Sequence, residues 1–233
     1  MFANYLKNLK KISWPKRREI DLSQCERIYL ELSNVCNYSN IHKSCPLHRV
    51  TEIHHLPLEI ITKVLLEAKQ LNFRGEFRFH NYNEPTIDPR LFLILYKVRE
   101  IFSDDVTMCM RTNKSILSPE LKKEIEAQAT LMTTDYESGN AVFDDRCKIY
   151  QNTEISDKGG PCKSPLGFLW IDYDGQVGLC CYDPYKKVKF GNLSTKTLKE
   201  IINDPKIREI YENLNKGIRI LDVCKRCKTH KKN

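Results

Sequence analysis

The sequence predicts an α/β protein: a run of parallel strand–helix units, followed by a small region of β-hairpin and helices. Two patterns carry this reading. From Ile28 to Thr134, short stretches with period-two alternation are followed by stretches with apolar residues on one helical face, four times over. Such alternation builds parallel βα units joined by right-handed crossovers. From Cys162 onward two short strands flank the turn Tyr173-Asp174-Gly175, and helices follow, a hairpin signal. A third observation concerns chemistry: most of the ten cysteines fall in two separated sets, one before position 50 and one after position 160.

Composition narrows the class. Of 233 residues, 41% are hydrophobic and 29% charged, proportions of a globular protein with one sizeable core. No apolar run approaches membrane-spanning length, and no leader of basic, apolar and small residues opens the chain, so a cytoplasmic protein without a membrane partner is expected. Clustered cysteines in that compartment indicate metal or iron–sulfur ligation more than disulfides. The net charge of +8 arises partly from lysines and arginines near the two ends. A solvated basic surface accounts for it, and nucleic acid is not an expected partner.

Taken in order, residues 1–25 form a basic extension, too short for an added peptide-recognition domain. Cys25, just before the first strand, reads as a bystander. Ile28, Leu30 and Leu32 alternate with Tyr29, Glu31 and Ser33, and this strand runs into a loop carrying Cys36, Cys45 and His48. Pro57 opens a helix whose Ile60, Ile61, Val64, Leu65, Ala68 and Leu71 share a face, and Gly75 ends it. Glu76–His80 is a second strand. Asp88-Pro89 opens a second helix through Leu91, Ile94, Leu95, Val98 and Phe102. Val106–Thr112 is a third strand, Ser118-Pro119-Glu120 caps a third helix, and Leu131–Thr134 is a fourth strand. Cys147–Tyr150 reads as a short fifth strand. A polar, turn-rich stretch with Gly159-Gly160-Pro161 marks a boundary, giving regions 26–158 and 159–233.

The first cysteine loop resembles that of the radical S-adenosylmethionine (SAM) enzymes, which read Glu-Leu-Thr-Asn-x-Cys-Asn and then Cys-Pro-x-Cys. Here Glu31-Leu-Ser-Asn-Val-Cys36-Asn37 matches the first half and Cys45-Pro46-Leu47-His48 the second. Eight residues separate Cys36 from Cys45 where the family has three, and His48 stands in place of the third cysteine. Imidazole can replace thiolate on an iron–sulfur cluster. From the residues alone, Cys36 and Cys45 are equally loop thiols, or half of a zinc site with His42 and His48. Three later segments add to the resemblance, each at a strand's C-terminal end: Asn83-Glu84-Pro85, Thr112-Asn113 and Thr134-Asp135. The resemblance implies a shortened partial (βα) barrel of the radical SAM type. It also implies that Cys36, Cys45 and His48 hold a 4Fe-4S cluster, that Leu47 packs near the adenine of SAM, and that Glu84 receives its amino group. Asn113, Asp135 and Arg146 complete the implied SAM contacts.

The second set, Cys162, Cys180, Cys224 and Cys227, follows the hairpin, Gly191-Asn192 and a closing Cys-x-x-Cys. This layout resembles the SPASM auxiliary-cluster region in its shortened twitch form, as in twitch-type aminocyclitol dehydrogenases. It implies a second 4Fe-4S cluster on those four thiolates, with Cys181 on the opposite face of its strand. Standing alone, the four cysteines would favour structural zinc. The resemblance as a whole implies a radical SAM oxidoreductase that abstracts hydrogen through a 5′-deoxyadenosyl radical. The expected substrate is a small sugar, polyol or aminocyclitol, with the auxiliary cluster as electron acceptor and a flavodoxin or ferredoxin as reductant. A peptide maturase or an epimerase is the alternative enzyme. A degenerate, zinc-binding barrel that docks a protein or RNA is the alternative from another class.

Overall fold

The computed structural model describes residues 19–39, 45–49, 51–133 and 148–228. The expectations for Asp135, Arg146, Cys147 and the side chain of His48 lie outside the described residues. Seven strands form one sheet: β1 (Arg27–Leu30), β2 (Glu76–Arg78), β3 (Thr107–Thr112), β4 (Thr130–Thr133), β5 (Phe168–Ile171), β6 (Gln176–Gly178) and β7 (Lys189–Asn192). Their order is β4-β3-β2-β1-β5-β6-β7. Strands β1 to β5 run parallel to their neighbours, whereas β6 and β7 add antiparallel at the edge. The helices are α1 (Leu58–Gln70), α2 (Leu91–Phe102), α3 (Pro119–Glu126), α4 (Leu198–Ile202), α5 (Pro205–Asn215) and α6 (Asp222–Arg226). Among the described residues, no helix is long and apolar enough to cross a membrane.

The fifth parallel strand is not where the sequence pattern put it. Ile149–Gln151 is a 3-10 turn, and Asn152 ties it to α6 by exchanging hydrogen bonds with Arg226 (2.5 and 2.8 Å). The fifth strand is β5, the first arm of the C-terminal hairpin, which pairs with β1 over four residues. Phe168-Leu-Trp-Ile is richer in strand-forming residues than Lys148-Ile-Tyr. The sheet therefore continues without a break from the first region into the second.

Alternation divides the sheet into two unlike faces. Ile28, Leu30, Phe77, Phe79, Met108, Met110, Leu169 and Ile171 turn outward into one core with Ile61, Val64, Leu65, Ile94, Leu95 and Val98 of α1 and α2. Phe73, Phe77 and Phe102 pack edge to face inside it. The inner face is polar: Arg27, Tyr29, Arg78, Cys109, Arg111 and Trp170 sit at the intervening positions, layered by the strand register. Charged residues on a parallel sheet's inner face signal a site, because a packed barrel fills that space with aliphatic side chains.

Two element ends differ from their expected form. Helix α1 stops at Gln70, and Asn72 takes the left-handed conformation (φ 63°) beyond it. Gly75 serves a different purpose, because a Cβ there would lie 2.3 Å from the carbonyl oxygen of Glu26. That same oxygen accepts from the Glu76 amide at 2.9 Å, joining β1 to β2. Gly75→Ala should therefore cost about 1–3 kcal/mol through overpacking, read as a lowered midpoint in denaturant unfolding with an unchanged slope. Helix α2 begins at Leu91 rather than at Asp88-Pro89, because Pro85–Ile87 forms a separate 3-10 turn. The Asp88 carboxylate is spent on Arg90, whose guanidinium also reaches the carbonyls of Leu56 (2.7 Å) and Leu32 (3.1 Å). Ser118 caps α3 as the sequence indicates, accepting from Leu121 N at 3.1 Å.

Candidate active site

The C-terminal ends of β1, β2 and β3 converge on the first cysteine loop. Asn34 pins that loop by accepting from His54 N and donating to Glu52 O, both at 2.8 Å. Beyond it, Cys45, Leu47 and Tyr82 are buried together, and Cys36 packs against them. Burial raises the Cys36 thiol pKa, and Glu84 adds to the rise. Asn113 Nδ2 lies 4.0 Å from Cys36 Sγ and donates to Asn37 at 2.8 Å. The loop therefore gathers Cys36, Cys45, Leu47 and Asn113 in one place.

Glu84 is more constrained than its motif shows. It is buried, and its two carboxylate oxygens accept three internal hydrogen bonds. Asn113 N donates at 2.7 Å, Thr86 N at 3.1 Å and Thr86 Oγ1 at 2.6 Å. A carboxylate offers about four acceptor positions, so one remains for an outside donor. Glu84 thereby locks the end of β3 to the turn after β2.

The other cysteine set is brought together by elements distant in sequence. Cys180 follows the hairpin, Cys224 lies in α6 and Cys227 caps it, and Cys162 is tied to α5 through Leu214 O at 2.9 Å. Cys224 lies within electrostatic reach of Cys162, Cys180 and Cys227, and Cys180 of Cys227. Burial and then Cys181, Cys224 and Cys227 push the Cys180 thiol well above its ordinary value. Burial and then Cys162 push Cys224 up to about 12. Desolvated thiols such as those of Cys180 and Cys224 resist ionisation unless a cationic core compensates them. Among the described residues, no three His, Cys, Asp or Glu side chains converge closely enough for a single metal ion. A four-iron core spreads its four thiolates over several metals, and this donor set suits it. Cys181 acts on Cys180 and also on Tyr29 of β1, whose hydroxyl pKa is raised chiefly by burial.

A buried ionic group lies between the two sets. Lys186 Nζ contacts Glu31 Oε2 at 2.9 Å and Asp172 Oδ2 at 3.4 Å, and stands 3.9 Å over the Tyr173 ring. Burial works against the Lys186 charge, but Glu31 and Asp172 outweigh it and raise its pKa. Burial pushes the Asp172 carboxyl up to about 8; Lys186 opposes the rise, and Glu31 and Asp174 add to it. Tyr82 joins the two halves. Its amide donates to Glu31 Oε1 (3.1 Å), and its hydroxyl donates to the carbonyl of Cys181 (2.5 Å).

Sequence reasoning missed Glu31, Arg78, Trp170, Asp172 and Lys186 as inner-face residues. A signal existed for Arg78, which stands between Phe77 and Phe79 in an otherwise apolar strand. Lys186 carried none, since it meets Glu31 across 155 positions.

Comparison with known proteins places these features. Residues 162–228 match the SPASM family, described as an iron–sulfur cluster-binding domain. A structure titled as BtrN in complex with AdoMet and 2-DOIA superposes with a TM-score of 0.72 at 18% identity, covering 88% of this chain and 93% of that one. BtrN in an open conformation gives 0.68 at the same identity, covering 88% and 92%. Native anSMEcpe with bound AdoMet gives 0.54 at 12% identity, covering 88% and 86%. The chain shares the fold of these structures, and its C-terminal part matches the SPASM model. No curated protein matches it in sequence. The SPASM match covers Cys162, Cys180, Cys224 and Cys227.

Proposed function

We propose that the protein is a radical SAM oxidoreductase that dehydrogenates a hydroxyl-bearing carbon of a small sugar, polyol or aminocyclitol. The observation that carries this reading is the paired arrangement of cysteine sets. One is packed at the mouth of a polar lumen, and the other is joined to it through Tyr82. In this reading Cys36, Cys45 and His48 hold one 4Fe-4S cluster, and Cys162, Cys180, Cys224 and Cys227 hold a second. When bound, these groups supply reductive cleavage of SAM at the first site and acceptance of an electron at the second. The chain's own residues position the reactants. Leu47 lines the adenine side, the remaining acceptor position of Glu84 takes an ammonium proton, and Asn113, Asp135 and Arg146 orient the rest of SAM. The fold of BtrN, with AdoMet and 2-DOIA bound, supports a small-molecule substrate. The anSMEcpe likeness, seen with Cp18Cys and Kp18Cys peptides bound, is what favours the peptide-modifying alternative. A cytoplasmic setting and a flavodoxin or ferredoxin as reductant accompany the proposal.

Reconstituted protein is expected to bind about eight irons per chain and to form 5′-deoxyadenosine from SAM. His48→Ala should lose about half that iron and all SAM cleavage, and His48→Cys should keep both. Stoichiometric zinc without iron after anaerobic preparation would refute the reading.

A further inference from the structure

Beside the buried ionic group, two polar atoms on neighbouring inner-face positions of the β5 end lack partners. Trp170 Nε1 and Asp172 Oδ2 are withdrawn from solvent and make no hydrogen bond. Their side chains are 7% and 4% exposed as residues. Lys186 Nζ reaches ion-pair distance of Oδ2 without forming a hydrogen bond to it. Both residues line a cavity of about 10 Å³, which Gly178 and Cys180 also border, roughly the room that one water-sized group needs. Gly178 helps to keep it open, since a Cβ there would sit 3.7 Å from Asp172 Oδ2. An orphaned buried donor or acceptor costs about 1–3 kcal/mol, so two such groups on residues lining one cavity call for a shared ligand.

The chemistry of the pair selects that ligand. It must accept from the indole N–H and pair with Asp172 Oδ2, which accepts as a carboxylate and can donate as the acid. A carboxylate or phosphate oxygen suits only the acid, and an ammonium cannot accept. A neutral O–H suits both states. We infer that Trp170 and Asp172 form a receptor for a single hydroxyl oxygen, filled by water at rest and by the substrate's alcohol when substrate binds. The alcohol assignment rests on the oxidation proposed above; the O–H assignment does not. The receptor lies against Cys180, so an alcohol held there is oriented between the lumen and the second cysteine set.

Crystals of the iron-loaded chain test the receptor directly. One oxygen is expected at about 2.7–3.2 Å from both Trp170 Nε1 and Asp172 Oδ2, and Trp170→Phe should lose it. A bare pair, or an oxygen touching only one atom, overturns the receptor. Turnover separates alcohol from water. With a panel of polyols that includes myo-inositol, Asp172→Asn is expected to lower ketone formed per 5′-deoxyadenosine by about 10²-fold through lost orientation. Its iron content should stay as in the parent. An unchanged ratio makes the oxygen a structural water and overturns the substrate role. If the parent protein forms no ketone from any polyol, the oxidation reading fails, and the crystals still decide the receptor.

Discussion

Cys180→Ala should separate radical formation from product formation. With one of four C-terminal thiolates gone, the second cluster is not retained, and iron content should fall from about eight to about four per chain. The first cysteine loop packs around Tyr82 and not around Cys180, so 5′-deoxyadenosine should still form. A carbon radical beside a hydroxyl becomes a ketone only by losing one proton and one further electron. Without a nearby acceptor the substrate radical has no oxidative exit, and ketone yield should drop by at least about 10²-fold. The measurement is the ratio of ketone to 5′-deoxyadenosine in protein whose iron has been counted. An unchanged ratio at half the iron would assign the C-terminal set a structural role and favour epimerisation.

Lys186→Met is the second large effect, and it falls on stability. The substitution leaves Glu31 and Asp172 facing each other in a buried site with no cation, and breaking such a group from one side costs about 3–5 kcal/mol. The cost depends on pH with a definite sign. Asp172 keeps its proton up to about 8 in the fold, whereas the unfolded chain releases it in the ordinary carboxylate range. The stability linked to that proton is present in full below the ordinary carboxylate range and is lost as pH rises through about 8. Charged groups around Asp172 include Glu31 after β1, Asp174 in the hairpin turn, Lys186, and Asp183 across the cavity. In the variant Glu31 loses its counter-charge, and Asp172 adds a second unpaired charge as it ionises, so the penalty should be larger at pH 9 than at pH 5. Denaturant unfolding at both values measures it. Glu31→Gln in the Lys186→Met background should recover a large part, and a penalty independent of pH would show that Lys186 acts through packing.

The legible and illegible parts of this molecule divide along chain distance. Period-two and helical patterns located β1 to β4 and α1 to α3, because each is decided by residues within one element. Cysteine spacing marked the two cysteine sets, because few other residues serve as metal ligands. Cys147–Tyr150 misled, since four residues of suitable composition cannot show whether a strand lies beside them. The Phe168–Ile171 arm looked like a local hairpin, and nothing in it shows that its other edge pairs with β1, about 140 positions earlier. Glu84 looked available for a ligand, and only the fold reveals that three of its acceptor positions are taken. Trp170 and Asp172 stand two apart on one strand, a spacing too common to signal anything until Gly178 opens space beside them.

Tyr82 has a thermodynamic consequence. One residue fixes the first cysteine loop through its ring, Glu31 through its amide and the Cys181 backbone through its hydroxyl. Conformational freedom removed on filling either cysteine set is then partly removed at the other. Loading of the two sets should be positively linked, each raising the other's affinity by the same factor. Tyr82→Phe, which deletes only the hydroxyl tether, is the substitution that would let them fill independently.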